Sequence, residues 1–286
     1  MQEFSNKVAV VTGAASGLGL AFATRFAQEG MRVVLADIEH EPLALAEAAI
    51  KAQGGTAIAV RTDVMVENEI KALADTAFAT YGNVHVLCNN AGVGGATDSS
   101  GVWNIPMDEW NWVLGVNFLG VLNGLRHFVP RMLANAEEGH IVNTSSVAGL
   151  LTGGIGAPYT VSKHGIVALS EILYKDLKAR NARLSASVLC PGWVNTNLID
   201  SARNRPIAQT PENSAAPTLQ MHEQNKALRT LLKEGMRPAD IADLVCDAIR
   251  NDTFYIVPAQ PSAELAIDTR LQDIRLRRNP TIAPRS

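Results

Sequence analysis

Tyr159 and Lys163 are the residues whose types and spacing most directly indicate chemistry. They lie four residues apart in the segment YTVSK, near the start of a predicted helix, so both side chains share one helical face. A free tyrosine has a pKa near 10, so roughly one phenol in a thousand is ionised at pH 7. A neighbouring ammonium favours the phenolate and lowers that pKa. The pair therefore predicts a tyrosine that exchanges a proton with an alcohol or a ketone.

Ser146 lies 13 residues before Tyr159, just after a predicted strand. Strand ends of a parallel sheet face the ligand crevice, where a serine hydroxyl can hydrogen-bond the reacting oxygen. Ser145 competes for this role, and a structural serine in a turn is the alternative for either residue.

A glycine cluster, Gly13, Gly17 and Gly19, lies in TGAASGLG between a predicted strand and a predicted helix. Glycine accepts positive φ and lets a phosphate approach the backbone. The N-terminus of the following helix favours the negative charge of a pyrophosphate. The spacing is GxxxGxG rather than GxGxxG, and a plain turn is the alternative reading. The cluster predicts a dinucleotide site.

Two aspartates end predicted strands and favour a particular dinucleotide. Asp37 comes 18 residues after Gly19, where a carboxylate accepts hydrogen bonds from both ribose hydroxyls and repels a 2′-phosphate. No Lys or Arg lies between the glycines or directly after Asp37. NAD is therefore favoured over NADP. Asp63 ends the third strand and is a candidate acceptor for the adenine amino group. A solvated strand-end aspartate is the alternative for both.

The elements that must position these residues alternate along the chain. Strands are predicted at 7–12, 31–37, 56–62, 84–88, 140–144, 184–189 and 254–257, and helices at 18–29, 41–53, 67–80, 107–133, 157–179, 238–249 and 263–278. The strands are mostly continuous apolar runs, as in a parallel sheet that is covered on both faces. We predict an α/β fold: a single doubly wound parallel sheet of about seven strands with helices on both faces.

Composition excludes several classes of protein. The chain of 286 residues is 47% hydrophobic and 19% charged, which is not the composition of a disordered chain. A net charge of −3 gives no reason to bind nucleic acid or an anionic membrane. The three cysteines and six histidines show no metal-ligand spacing, so no metal is expected. Without a signal-peptide pattern or an 18-residue apolar run, we expect a soluble, cytoplasmic protein.

Taken together, the motifs resemble those of the short-chain dehydrogenase/reductase family. The resemblance extends over about residues 5–257 and keeps the family's order and spacing. It rests on TGAASGLG (12–19), Asp63, NNAG (89–92), Asn117, Ser146, YTVSK (159–163) and PGWVNT (191–196). It implies one Rossmann-type domain over 1–286, with a substrate lid at about 196–235 and a C-terminal helical extension at about 262–286.

The resemblance implies four catalytic roles. Ser146 would orient the substrate oxygen, and Tyr159 would be the general acid/base. Lys163 would lower the pKa of Tyr159 and bind the nicotinamide ribose. Asn117 would hold a water molecule that connects Lys163 to solvent. A structural asparagine bonded to the backbone is the alternative for Asn117, because a buried amide needs partners.

The resemblance also implies the coenzyme contacts. The glycines would form the coenzyme loop, Asn90 and Gly92 would lie near the adenine ribose, and Pro191, Gly192 and Thr196 would flank the nicotinamide. The expected coenzyme-binding residues are Gly13, Ser16, Gly17, Leu18, Gly19, Asp37, Asp63, Val64, Asn90, Gly92, Tyr159, Lys163, Pro191, Gly192, Val194 and Thr196.

The expected function is NAD(H)-dependent interconversion of a bulky or aromatic secondary alcohol and a ketone. Alternatives are a hydroxysteroid dehydrogenase, a 3-oxoacyl-acyl-carrier reductase, against which Asp37 argues, and a catalytically silent dinucleotide-binding regulator. Trp193 would wall the substrate pocket. Four apolar lid residues would roof it, and three glycines would leave it roomy. These are Met221, Leu228, Leu231 and Leu232, and Gly153, Gly154 and Gly156.

The family expectation for assembly is a homotetramer, with a homodimer as the alternative. The two long helices at 107–133 and 157–179 would provide the subunit contacts. Four C-terminal arginines would either contact a partner subunit or form a solvated basic face. They are Arg270, Arg275, Arg277 and Arg278.

Overall fold

A seven-stranded parallel sheet forms the centre of the protein. The computed structural model describes residues 1–95, 101–152, 156–206 and 219–282, and the backbone alone of 219–225. The sheet has the order β3-β2-β1-β4-β5-β6-β7. Its strands are β1 (Val8–Thr12), β2 (Arg32–Asp37), β3 (Thr56–Arg61), β4 (Val86–Asn89), β5 (Gly139–Thr144), β6 (Leu184–Leu189) and β7 (Tyr255–Ile256), all paired in parallel. The predicted α/β architecture is confirmed.

Helices cover both faces of this sheet. They are α1 (Gly17–Gln28), α2 (His40–Ala52), α3 (Glu67–Tyr81), α4 (Met107–Leu114), α5 (Gly120–Ala134), α6 (Ala157–Ala179), α7 (Leu219–Lys233), α8 (Pro238–Asn251) and α9 (Pro261–Arg275). The predicted helix at 107–133 is one helical stretch with a π-helical segment, Gly115–Leu119, between α4 and α5. Within the described residues, none of the helices is both long and apolar enough to cross a bilayer.

Helix α7 is a finding that the sequence analysis did not predict. Its sequence, LQMHEQNKALRTLLK, is mostly polar, so the apolar periodicity that marks a helix is weak. Leu, Gln, Lys and Ala nevertheless have high helix propensity, which explains why this part of the chain is helical.

The apolar core has two layers, one on each face of the sheet. Alternate residues of β1 point to opposite faces, so that Ala9 and Val11 pack with α1, α2 and α8. Val8 and Val10 pack on the other face with α3 and α5. All four side chains are fully buried. Because both faces are covered, the strands have to be continuously apolar, which is the pattern that the sequence shows.

The strand order places a crevice at the carboxyl ends of β1 and β4. From β1 the chain adds β2 and β3 on one side, whereas β4 begins the other side. The loops that leave β1 and β4 therefore diverge, and ligands bind in such crevices. Polar residues end the neighbouring strands at this edge: Thr12, Asp37, Asn89 and Thr144.

Candidate active site

A cavity opens at the carboxyl ends of the central strands. Among the residues predicted from sequence, it is lined by Gly13, Ser16, Gly17, Leu18, Asp37, Asp63, Val64, Asn90, Gly92, Ser146, Tyr159, Lys163, Pro191, Gly192, Val194 and Thr196. Gly19, Asn117 and Trp193 are not among the described lining residues. The fold thus brings the glycine cluster, both aspartates and the Ser–Tyr–Lys set to one place.

The glycine cluster forms a turn whose conformation requires glycine. Gly13 and Gly17 have φ values of +68° and +54°, which side-chain-bearing residues rarely adopt. A Cβ at Gly19 would strike the carbonyl of Gly13, so this glycine lets helix α1 pack closely against the turn. Helix α1 begins at Gly17, and its first backbone N–H groups lie at the cavity.

Asp37 is held in place by backbone hydrogen bonds. Its two carboxylate oxygens accept the N–H groups of Ala15 and Glu39, each at 3.0 Å. Burial raises the pKa of Asp37, and these hydrogen bonds act in the opposite direction. Each oxygen retains a further lone pair, so the carboxylate can still accept from a hydroxyl in the cavity.

Asn90 fastens the ends of three strands together. Its Nδ2 donates to the Thr12 carbonyl at 3.0 Å, and its Oδ1 accepts from the Thr144 hydroxyl at 3.2 Å. Its backbone N–H donates to the Thr12 hydroxyl at 2.9 Å. Asn90 therefore fixes the floor of the cavity.

On the β3 side, the Asp63 carboxylate accepts the N–H of Met65 at 2.9 Å.

Ser146 and Tyr159 lie beside each other in the cavity, and the Ser146 hydroxyl acts to lower the pKa of the phenol. The Ser146 hydroxyl also accepts the N–H of Ala148 at 3.1 Å and donates to the Pro191 carbonyl at 3.3 Å. The Ser145 hydroxyl donates instead to the Lys163 carbonyl at 2.8 Å. Of the two neighbouring serines, Ser146 is therefore the one that meets the tyrosine.

Lys163 is buried beside Tyr159. Its Nζ donates to the Thr144 carbonyl at 3.0 Å and lies 5.4 Å from the centroid of the Tyr159 ring. The two residues are 4% and 5% exposed, so their ionised forms are poorly solvated.

Burial sets the acidity of both groups in a way that the sequence analysis did not expect. It raises the pKa of Tyr159 to about 12, with the Ser146 hydrogen bond acting in the opposite direction. It lowers the pKa of Lys163 to about 8. Withdrawal of the phenolate from water thus dominates, and the pKa of Tyr159 lies above rather than below its ordinary value.

Asn117 lies in the π-helical segment and is fully buried. Its Oδ1 accepts the Val93 N–H at 2.8 Å, and its Nδ2 donates to the Val93 carbonyl at 3.0 Å and to the Ser162 hydroxyl at 3.1 Å. Both amide hydrogens are thus used, which is the backbone-bonded arrangement considered as the alternative. Its Oδ1 and the Nζ of Lys163 face Gly92 from the same side, since a Cβ there would lie 3.4 and 3.5 Å from them.

The segment after β6 forms the other wall of the cavity. Thr196 lies against the glycine turn. A Cβ atom added at Gly17 would lie only 3.2 Å from the Cγ2 of Thr196. Trp193 is half-buried, and its carbonyl accepts the Met236 N–H at 3.0 Å. The expected place of Trp193 in the pocket wall is therefore not found among the described lining residues.

Several cavity residues were missed by the sequence analysis. The missed residues Met65, Val93, Trp112, Val116, Leu198 and Pro206 form the apolar wall together with the expected Leu232. Of the expected roof residues, Leu232 is buried in this wall, whereas Leu231 is 41% exposed. Gly153, Gly154 and the side chain of Met221 lie outside the described residues. Trp112 belongs to no sequence motif. The one signal for its place in the cavity was its position on the predicted helix shortly before Asn117.

Two charged cavity residues were also missed, Glu39 and Arg203. No Lys or Arg directly follows Asp37 in the sequence. In the folded chain, however, Arg203 lies at this end of the cavity and pairs with Glu39, although the two residues are 164 positions apart. Such a long-range pair has no signal in a single sequence.

Comparisons with known proteins agree with this geometry. The family model for short chain dehydrogenases matches residues 7–206. The chain is 33% identical to 1-deoxy-11-beta-hydroxypentalenate dehydrogenase from Streptomyces exfoliatus, over 94% of this chain and 88% of the relative. It is 28% identical to C alpha-dehydrogenase from Sphingobium sp. strain SYK-6, over 96% and 87% of the two chains.

A solved structure of a short chain dehydrogenase/reductase from Burkholderia phymatum, in complex with NAD, is also similar. It has a TM-score of 0.94 and 42% sequence identity, and the match covers 100% of both chains. The family model, the relatives and this structure lead to one conclusion. The chain belongs to the short-chain dehydrogenase/reductase family of oxidoreductases.

Proposed function

We propose that the protein is an NAD(H)-dependent oxidoreductase that interconverts a secondary alcohol and a ketone. The observation that carries this proposal is that Ser146, Tyr159 and Lys163 line the same cavity as the glycine turn and Asp37. A phenol beside a serine hydroxyl is equipped to hold a substrate oxygen and exchange its proton.

The cavity fits a nicotinamide dinucleotide. Gly13 and Gly17 present bare backbone at the start of α1, where a pyrophosphate is favoured. Asp37 has lone pairs for the adenosine ribose, which supports NAD as the coenzyme. The similar structure from Burkholderia phymatum holds NAD, which supports the same assignment. When bound, such a coenzyme supplies or accepts the hydride.

The side chains of this chain would handle the proton and the orientation. Ser146 holds the substrate oxygen next to the phenol of Tyr159. Tyr159 removes the hydroxyl proton during alcohol oxidation and returns it during ketone reduction. Lys163 stabilises the phenolate as it forms and binds the nicotinamide ribose. For Asn117, we propose that it positions Val93 and helix α6. A water relay would have to use the remaining lone pair of its Oδ1.

The substrate is proposed to be a bulky or aromatic secondary alcohol. The apolar wall, which includes Trp112, Val93 and Leu232, supports this class. Residues 196–235 would act as the substrate lid, and residues 262–286 as a C-terminal extension built on α9. A hydroxysteroid dehydrogenase acts on the same chemical class and remains the second candidate. A panel of aryl, steroid and aliphatic secondary alcohols, followed by NADH formation, distinguishes them.

The deciding experiment replaces Tyr159 with Phe. Alcohol oxidation should fall by about 10²- to 10⁴-fold, because the proton acceptor is lost. The affinity for NADH should change little, since the phenyl ring remains. Tyr255→Phe is a matched control, because this tyrosine is half-exposed and hydrogen-bonded to Glu171.

Two outcomes would argue against the proposal. Wild-type turnover in Tyr159→Phe would show that another group moves the proton. NADH binding without turnover on any alcohol or ketone of the panel would favour a silent regulator.

We also propose that the chain assembles as a homotetramer or homodimer through its long helices. Leu119 and Leu133 on one helical stretch, and Val161 and Ile172 on α6, are exposed apolar residues that support such contacts. Light scattering of the purified protein tests this. Arg270 donates to the Leu150 carbonyl of its own chain at 3.2 Å, whereas Arg275, Arg277 and Arg278 are exposed.

A further inference from the structure

Arg203 and Glu39 form an ion pair at the adenosine end of the cavity. The Nε and Nη2 atoms of Arg203 each lie 2.8 Å from a different carboxylate oxygen of Glu39. The third nitrogen, Nη1, donates to the Asp200 carbonyl at 2.9 Å. The guanidinium is thus held in a forked, fixed geometry by two elements.

This ion pair lies directly beside Asp37. The backbone N–H of Glu39 donates to the Asp37 carboxylate at 3.0 Å, and Asp37, Glu39 and Arg203 all line the cavity. The three residues come from two parts of the chain. Asp37 ends β2 and Glu39 follows it, whereas Arg203 lies in the short 3₁₀ helix Leu198–Asn204 of the proposed lid.

Building on the proposed use of a dinucleotide coenzyme, we propose that Glu39 and Arg203 form a second coenzyme-selecting unit. Glu39 occupies the guanidinium of Arg203 and withholds it from a 2′-phosphate. The preference for NAD over NADP is therefore set by Glu39 as well as by Asp37. Arg203 of the proposed lid would bind a 2′-phosphate if Glu39 lost its charge.

The charges at this rim explain the selection. A 2′-phosphate would meet two carboxylates and one guanidinium whose fork is already occupied, so repulsion exceeds attraction. Without the charge of Glu39, the same fork matches the geometry of phosphate oxygens. The side chains of Arg203 and Glu39 are 40% and 20% exposed, so solvent screens the effect but does not abolish it.

The test compares coenzyme affinities of full-length variants. Dissociation constants for NADH and NADPH are measured by titration for wild type, Glu39→Gln, Arg203→Gln and the double variant. Glu39→Gln should raise the affinity for NADPH relative to NADH by about tenfold, because the 2′-phosphate gains charge-assisted hydrogen bonds from Arg203. Arg203→Gln should give no such gain, and the double variant should lose the gain. High salt should reduce it.

Glu29→Gln is the matched control for the loss of one negative charge. Glu29 pairs with Arg25 and Arg250 away from the cavity, so its substitution should leave the coenzyme ratio unchanged. An unchanged ratio in Glu39→Gln, or a gain that persists in the double variant, would overturn the inference while wild type still binds NADH. Failure of wild type to bind NADH would instead overturn the proposed function. Equal wild-type affinities for the two coenzymes would overturn the NAD preference and this inference with it.

Discussion

At the residue scale, Lys163 is a residue of the candidate site whose burial lowers the free energy of unfolding. The residue is 4% exposed, and its Nζ donates to the carbonyl of Thr144. Burial of the ammonium disfavours its charged form and lowers its pKa to about 8. A cation is therefore kept in a buried place where an uncharged side chain would be more stable.

Replacing Lys163 with Met should therefore stabilise the protein at pH 7 while abolishing turnover. The pKa of Lys163 falls from 10.5 to about 8 on folding, so the charged form is destabilised. This corresponds to about 3 kcal/mol at most, and loss of the hydrogen bond to Thr144 reduces the net gain to about 1–2 kcal/mol. Denaturant unfolding measures the free energy difference.

The gain should depend on pH with a defined sign. Because the folded pKa lies below the unfolded value of 10.5, the unfolded chain binds more protons between about pH 8 and 10.5. The wild-type free energy of unfolding therefore gains a positive contribution as pH rises through that window, and the advantage of Lys163→Met shrinks. The exposed Lys175 on the same helix is the control, since Lys175→Met should show no such trend. A variant less stable than wild type at pH 7 would contradict the argument.

The residues of the site differ in how far a single sequence predicts them. Tyr159 and Lys163 are readable because helical spacing alone puts them on one face. The glycine turn is readable because its backbone angles require glycine. The Arg203–Glu39 pair is not, since only the folded loops bring them together. The raised pKa of Tyr159 was also missed, because burial is a property of the whole environment.

At the element scale, the π-helical segment Gly115–Leu119 is the feature that the sequence does not reveal. Apolar periodicity predicts one continuous helix there, because a single widened turn shifts the pattern too little to detect. The segment contains Asn117, whose amide joins the loop after β4 to helix α6 through Val93 and Ser162. It therefore ties two walls of the site together.

We expect Asn117→Ala to destabilise the protein by about 2–4 kcal/mol. The substitution leaves the buried N–H and carbonyl of Val93 without these partners, and unmet buried polar groups are costly. Asn123→Ala in helix α5 is the matched control. Among the described residues, the side chain of that asparagine makes one longer hydrogen bond, 3.3 Å to the Val64 carbonyl, so about 1 kcal/mol is expected. Thermal and denaturant unfolding of both variants provide the measurement, and equal losses would count against a tying role for Asn117.

At the scale of the whole molecule, the segment 198–206 runs along the cavity, and three of its polar contacts reach earlier parts of the chain. Arg203 pairs with Glu39 beside Asp37. The Ser201 hydroxyl accepts the Gly94 N–H at 3.0 Å near the middle. Arg205 pairs with Glu109 at 2.6 Å beside the apolar wall. Between these polar contacts, Leu198 packs against the apolar wall of the cavity, so movement of this segment would open that wall.

The parts of the fold differ in predictability for the same reason. The sheet was predictable because burial on both faces makes every strand apolar. The arrangement of the segment 198–206 depends on contacts with residues far away in the chain, and the polar helix α7 has only a weak apolar pattern. Elements whose apolar residues are buried in the core can be predicted from the sequence. Elements whose position depends on polar contacts with distant residues cannot.

Glu109→Gln should loosen this segment at its substrate end. The Arg205 and Glu109 side chains are only 13% and 5% exposed, and the guanidinium lies 4.9 Å from the Trp112 ring. Removing one charge of a buried pair costs about 3–5 kcal/mol because the other charge stays in a poorly solvated place. Amide hydrogen exchange should therefore become faster in 198–206 and unchanged in β1 and α1, and KM for the alcohol should rise.

Glu47→Gln provides the matched control for this prediction. Glu47 pairs with Lys51 on the outer face of α2, where the side chains are 24% and 54% exposed, and such surface pairs contribute little. Its exchange pattern should equal that of wild type. If Glu109→Gln leaves exchange in 198–206 unchanged, the Glu39 and Ser201 contacts suffice to hold the segment. The lid would then be controlled from the coenzyme end rather than from the substrate end.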